Sequence, residues 1–250
     1  FAGELSLEGG LRPVSGALNI AQMAKKLGFA LLFLPKQNAS EAAVVSGLKV
    51  VPVDTLENLI SHLEERTLID IQPPTKFQPE DNDPLVDFSE IRGQESAKRA
   101  LVVAAAGGHH LLMTGSPGAG KTLMAQALVS ILPAPTLEEA IEITQIWSAA
   151  NLLGENNFLR VRPFRSPHHT ASPISIVGGG PNPRPGEISL AHRGILFLDE
   201  LPEFRRDLLE ALREPLEAGQ ISIARVKNTL SFPARFTLVG AMNPCPCGYF

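Results

Sequence analysis

Gly115-Ser116-Pro117-Gly118-Ala119-Gly120-Lys121-Thr122 follows the apolar run Leu111 to Thr114 and precedes the helix-prone stretch Leu123 to Leu132. Its glycines let successive backbone N–H groups turn inward around an anion, and a helix starting at the end of the turn adds its positive pole. In a loop of this pattern the Lys121 ammonium meets the β and γ phosphates of ATP, while the Thr122 hydroxyl reaches Mg²⁺. An ordinary glycine-rich turn is the bland alternative. The strand before and the helix after argue against it, so Gly115, Ser116, Pro117, Gly118, Ala119, Gly120, Lys121 and Thr122 are read as the phosphate cradle.

Two further apolar runs end in polar residues. Ile195-Leu196-Phe197-Leu198 is followed by Asp199-Glu200, as expected where a buried parallel strand delivers carboxylates to the phosphate end of a sheet. Asp199 would hold the Mg²⁺ hydration shell, and Glu200 would orient and deprotonate the water that attacks the γ phosphate. By itself an acid pair is more often a solvated helix start, and the upstream loop reverses that preference. Phe236 to Met242 ends at Asn243, whose amide could bond both the water and the γ phosphate; a turn-forming role is the alternative. Such continuous apolar runs suit a parallel sheet covered on both faces, and hence an α/β fold.

The whole chain has 250 residues, 44% of them hydrophobic, with 22 Lys and Arg against 26 Asp and Glu. That composition can bury a core without disulfides, and the formal charge of -4 argues against coating nucleic acid by bulk charge. Both cysteines lie in Cys245-Pro246-Cys247, which fits a reducing, cytoplasmic compartment rather than a secreted scaffold. Apolar runs such as Phe29 to Leu34 fall far short of the roughly 20 residues a membrane helix needs. The chain opens on Phe1 without a signal-like segment and reads as an excerpt of a longer protein.

Residues 1–72 alternate strand-like and helix-like pieces: a strand in Gly3 to Leu7, a helix near Ala17 to Leu27, a strand at Ala30 to Leu34, a helix near Ser40 to Val45, a strand at Leu48 to Val53, and a helix at Thr55 to Glu65 capped by Asp54. Residues 73–86, rich in proline and acid, read as a linker. From 87 to 250 the strand–loop–helix alternation continues.

Further stretches carry a resemblance. Asp87-Phe88-Ser89-Glu90-Ile91-Arg92-Gly93-Gln94-Glu95, Arg162-Pro163-Phe164-Arg165-Ser166-Pro167-His168-His169-Thr170, Val177-Gly178-Gly179-Gly180 through Arg184-Pro185-Gly186-Glu187-Ile188-Ser189-Leu190-Ala191-His192-Arg193-Gly194, and Asp199-Glu200-Leu201-Pro202-Glu203-Phe204 resemble the Mg-chelatase-like AAA+ ATPases of the YifB/ComM type. The resemblance implies a P-loop AAA+ three-layer αβα core over 87–250, without the C-terminal helical lid. It also implies hexameric rings that hydrolyse ATP with Mg²⁺ and act on DNA, with branch migration or helicase activity in recombination or natural transformation. Ile91, Gly93 and Gln94 would lie beside the adenine, and Asn243 would be the sensor 1 residue. Residues 1–72 resemble part of the Lon protease domain. They depart from it at Leu18, where that family has its catalytic lysine, so the module is read as non-proteolytic.

Basic residues concentrate in Phe158 to Gly186 and in Ala218 to Phe250, neither of which contains an acid. Gln220 to Ile223 and Thr229 to Phe232 read as a hairpin whose tip carries Arg225 and Lys227. With Arg184 in the glycine- and proline-rich Val177 to Gly186 loop, these are the candidate contacts to phosphates of single-stranded or branched DNA. Solvated surface loops are the alternative. His168 and His169 are adjacent, which suggests rings pointing apart and a role in supporting a neighbouring site residue or in loop packing, rather than a metal pair. Cys245 and Cys247 are either half of a zinc site whose other ligands follow Phe250, or free thiols. The competing function classes are a chelatase-like or protein-remodelling subunit, and a nucleotide-gated scaffold.

Overall fold

The computed structural model describes all residues except 76, 79–85, 154–157, 181–182, 225–228 and 245–250. Its backbone divides into two compact units: residues 1–78 with 147–159, and residues 79–146 with 160–250.

In the first unit, β1 (Glu4–Leu5) and β2 (Leu11–Arg12) form a short antiparallel ribbon, followed by α1 (Ala17–Lys26), β3 (Leu31–Pro35), α2 (Lys36–Ala42), β4 (Lys49–Val53) and α3 (Leu56–Leu63). β3 and β4 pair in parallel with Phe33 opposite Val51. Ala17, Leu18, Ala21 and Ala24 give α1 one small, fully apolar face, which is buried. The N-terminus of α1 has no side-chain cap of its own. The buried Glu41 carboxylate takes that place, accepting from the Leu18 N–H at 3.0 Å and from the Ser148 hydroxyl at 2.6 Å. Leu18 itself is 0% exposed.

Two local readings shift here. The second helix runs Lys36–Ala42 rather than near 40–45, because the chain turns straight from Pro35 into helix and leaves it at Ala43. The third helix is capped by Thr55, whose hydroxyl accepts from the Asn58 N–H at 3.2 Å, while Asp54 pairs with Lys36 at 3.3 Å.

The second unit runs α4 (Glu95–Gly107), β5 (Leu111–Thr114), α5 (Lys121–Ala127), α6 (Leu137–Ala149), β6 (Phe164–Arg165), α7 (Pro173–Val177), β7 (Gly178–Gly179), β8 (Arg184–Pro185), α8 (Glu187–Leu190), β9 (Ile195–Leu198), α9 (Arg206–Ala211), α10 (Arg213–Ala218), β10 (Gln220–Ala224), β11 (Thr229–Pro233) and β12 (Thr237–Met242). Its main sheet is parallel, in the order β5-β12-β9-β6. Alternation along β9 sends Ile195 and Phe197 to a core with Leu101, Met124 and Leu128, and Leu196 and Leu198 to a core with Ile176, Ile188, Leu208 and Leu212. Helices therefore cover both faces of the central strands, giving the three-layer α/β arrangement. Coverage is incomplete at the edge: Leu112 on β5 is 54% exposed.

Among the described residues the sheet has one strand that the apolar pattern did not reveal, β6, only two residues long and containing Arg165. The Val177 to Gly186 stretch, expected as a loop, closes into the β7–β8 hairpin. Gly178 has φ +98°, and a Cβ there would lie 2.6 Å from the Arg184 carbonyl oxygen. No described helix is long and apolar enough to cross a membrane.

Candidate nucleotide-binding site

β5, β12 and β9 are neighbours and run in the same direction, so the residues after their C-terminal ends meet. Behind β5 comes the 115–120 loop, in which Gly118 and Gly120 adopt φ +77° and +83°, conformations that an L side chain resists. That turn sets the start of α5 at Lys121 and leaves its first N–H groups without intrahelical acceptors. Asp199 and Glu200 follow β9, and Asn243 follows β12.

The side chains converge on a cleft of about 400 Å³ lined by Pro117, Gly118, Ala119, Gly120, Lys121, Thr122, Leu123, Asp199, Glu200, Met242 and Asn243. The Lys121 ammonium donates to the Gly115 and Ser116 carbonyl oxygens at 2.7 and 3.0 Å and to Asn243 Oδ1 at 3.0 Å. Thr122 Oγ1 donates to Asp199 Oδ2 at 2.8 Å, while Asp199 Oδ1 accepts from the Glu200 N–H at 3.0 Å. One hydroxyl and one carboxylate thus sit side by side, the hard oxygen pair that an octahedral Mg²⁺ takes from a protein when water and phosphate fill its other positions. The donor set fits Mg²⁺ with a nucleoside triphosphate.

Glu200 itself has φ +51°, a left-handed conformation uncommon for a residue with a Cβ. Its Oε2 lies 3.3 Å from His169 Nδ1. His168 and His169 do not point apart: their ring centroids are 4.2 Å apart at 33°, because the chain turns at this point instead of remaining extended.

Ile91, Gly93 and Gln94 do not line this cleft. Ile91 is buried with Leu101 and Leu128, and Gly93 and Gln94 both take positive φ just before α4. Arg184 is exposed on β8. β10 and β11 form the expected antiparallel hairpin, with Ile223 opposite Leu230, and a Cβ on Gly178 would lie 3.0 Å from Ile223 Cδ1, so the two hairpins abut. Arg225, Lys227, Cys245 and Cys247 lie outside the described residues.

Residues 87–250 match the family model "Magnesium chelatase, subunit ChlI", and residues 1–38 match "Subunit ChlI of Mg-chelatase". The chain belongs to the magnesium chelatase ChlI family. All of it aligns with protein YifB of Escherichia coli (strain K12) at 46% identity, covering 49% of that protein. All of it also aligns at 45% with competence protein ComM of Haemophilus influenzae, covering 50% of it. The chain thus spans about half the length of these relatives. The magnesium-chelatase 38 kDa subunit of Rhodobacter capsulatus is 29% identical over 64% of this ChlI-family chain and 51% of that subunit. A chain of the magnesium chelatase BchI–BchD complex superposes with a TM-score of 0.52 at 28% identity, covering 66% of this chain and 57% of that one.

The N-terminal end of the ChlI-family sheet carries a polar network that sequence reading passed over. Arg162, 13% exposed in its side chain, donates to the Pro133 and Arg193 carbonyl oxygens at 2.6 and 2.7 Å and to Glu139 at 2.8 Å. Arg193 Nε donates to Glu142 at 2.7 Å. The buried His192 accepts the Arg235 N–H on Nδ1 at 3.0 Å, which leaves its protonated Nε2 facing Glu142 at 3.1 Å. Burial pushes the His192 pKa down, and the Arg193 and Arg235 charges add to this against the opposing pull of Glu142. Burial resists ionisation of Glu142, but hydrogen bonds from Arg193 and His192 prevail and hold it below the usual carboxylate range. Arg162 and Arg193 stand in two of the family-like stretches, but their partners Glu139 and Glu142 on α6 are distant in sequence.

Proposed function

We propose that the chain hydrolyses ATP with Mg²⁺, as the nucleotide-binding part of a cytoplasmic, ring-forming motor that acts on single-stranded or branched DNA. The observation carrying the first half is the convergence of Lys121, Thr122, Asp199, Glu200 and Asn243 on one cleft behind three adjacent parallel strands. Lys121 would exchange its loop carbonyls for β and γ phosphate oxygens, and Thr122 and Asp199 would hold Mg²⁺. The metal supplies charge neutralisation on the phosphates. Glu200 would take the proton of the attacking water, and the Asn243 amide would hold that water against the γ phosphate. Ile91, Gly93 and Gln94 are assigned to the adenine on the family resemblance alone.

The DNA half is supported by the 45% identity to competence protein ComM and by two abutting hairpins, one bearing Arg184 and the other joined by the segment that holds Arg225 and Lys227. These cations would contact phosphates without reading sequence. The test is the ATPase rate of the intact protein with single-stranded, duplex, forked and four-way DNA. Stimulation by branched or single-stranded DNA is expected, with Arg225→Ala/Lys227→Ala weakening it and lowering the log–log salt slope of binding by roughly one unit per lost contact. A second reading, a chelatase-like or protein-remodelling subunit, is favoured by the family match over 87–250. Stimulation by a protein partner with no response to any DNA would select it.

A further inference from the structure

His169, which the sequence leaves between supporting a site residue and packing a loop, has its Nδ1 3.3 Å from Glu200 Oε2. The Glu200 side chain is 55% exposed and would otherwise be free to sample rotamers. His169 is well placed to restrain it. Its ring lies tilted against His168, with centroids 4.2 Å apart, and makes an edge contact with the buried Phe204 at 6.3 Å. His168 is in turn tied down, since its Nδ1 accepts the Thr170 N–H at 3.3 Å and meets Thr170 Oγ1 at 2.8 Å. The segment is anchored upstream at β6, where Arg165 makes a two-pronged bond to Glu187 at 2.5 and 2.7 Å. His169 does not line the phosphate cleft.

We propose that His169 is a positioning residue for hydrolysis: it donates its Nδ1–H to Oε2 of Glu200 and so leaves Oε1 aimed at the attacking water. This rests on Glu200 being the general base. A carboxylate has two oxygens, and fixing one of them fixes the other to within a bond rotation. A base that must accept a proton over a hydrogen-bond distance loses rate steeply when displaced by about 1 Å. Glu200 takes its left-handed φ of +51° at the same position where its carboxylate meets His169, and strained backbone of this kind concentrates at functional sites.

The experiment is steady-state ATP hydrolysis by the intact protein carrying His169→Phe, His169→Asn or Glu200→Gln. Phenylalanine keeps the ring packing and removes the donor, whereas asparagine keeps a donor at a similar distance from the backbone. His169→Phe should lower kcat about 10- to 100-fold with KM for ATP within about twofold, and His169→Asn should recover most of the loss. Wild-type kcat in His169→Phe, or equal losses in the Phe and Asn variants, would overturn the proposal. A KM change as large as the kcat change would do the same. Glu200→Gln separates the two levels: if it hydrolyses ATP at the wild-type rate, the base assignment itself fails. If it is inactive while His169→Phe is normal, only the role of His169 falls.

Discussion

Replacing Lys121 by alanine tests the phosphate cradle where its energetics are simplest to work out. The ammonium makes three contacts, at 2.7, 3.0 and 3.0 Å, to two loop carbonyls and the Asn243 amide oxygen. On binding MgATP it would trade some of these for phosphate oxygens. Charge-assisted bonds contribute about 1.5–3 kcal/mol each, against about 1 kcal/mol for each neutral acceptor given up. With two phosphate contacts formed, the net loss in the variant is about 1–4 kcal/mol, or roughly 5- to 700-fold in Kd. The fold should not suffer. Ser116 and Asn243 face solvent, so their oxygens return to water, and removing a cation from the first turn of α5 relieves an unfavourable interaction with the helix dipole. Isothermal titration of the intact protein with MgATP reads the affinity, and thermal unfolding of the same sample checks the fold. A Kd within about twofold of wild type in a well-folded variant would refute the reasoning.

Arg162→Ala removes three donors from a mostly buried network and leaves Glu139 with weaker partners, so it should cost about 2–3 kcal/mol in a denaturant titration; an unchanged midpoint would show the network to be dispensable. His192 has a folded pKa below that of the unfolded chain, so the unfolded state binds the proton more readily. Its contribution is therefore fully present above the ordinary histidine pKa, about 6.5, and is lost as pH falls from there through the folded value. Unfolding free energies between pH 7.5 and 5.5 should fall with pH in the wild type and fall less steeply in His192→Asn; parallel slopes would contradict this.

The phosphate site was legible because its chemistry is local in sequence. The 115–122 loop carries its own glycines, and each apolar strand hands its first polar residue to the same sheet edge, so the sequence already groups Lys121, Asp199 and Asn243 at one candidate site, where contacts of 3.0 and 2.8 Å join Lys121 to Asn243 and Thr122 to Asp199. β9 and β12 were readable from continuous apolar runs, which burial on both faces requires. β6 was not, since a two-residue edge strand that holds an arginine in an ion pair has no hydrophobic period. Nor could spacing reveal that His169 would meet Glu200 across 31 positions, or that Glu142 would meet both His192 and Arg193. Those contacts depend on how parallel strands and their crossovers are ordered. Asp54 and Thr55 show the same limit at short range: either can cap a helix, and a pairing with Lys36 drew Asp54 away.

If the cleft behind β5, β9 and β12 hydrolyses ATP, Glu200 is the group that must take the proton of the water. Glu200→Gln tests it most directly, because glutamine keeps the shape of the side chain but cannot take a proton from water. Single-turnover hydrolysis of radiolabelled ATP by the intact protein, with nucleotide affinity and Mg²⁺ dependence measured on the same preparation, is the decisive measurement. Wild-type, Mg²⁺-dependent ATP binding is expected, with phosphate release slowed by at least about 100-fold. Binding retained and phosphate released at the wild-type rate would contradict it.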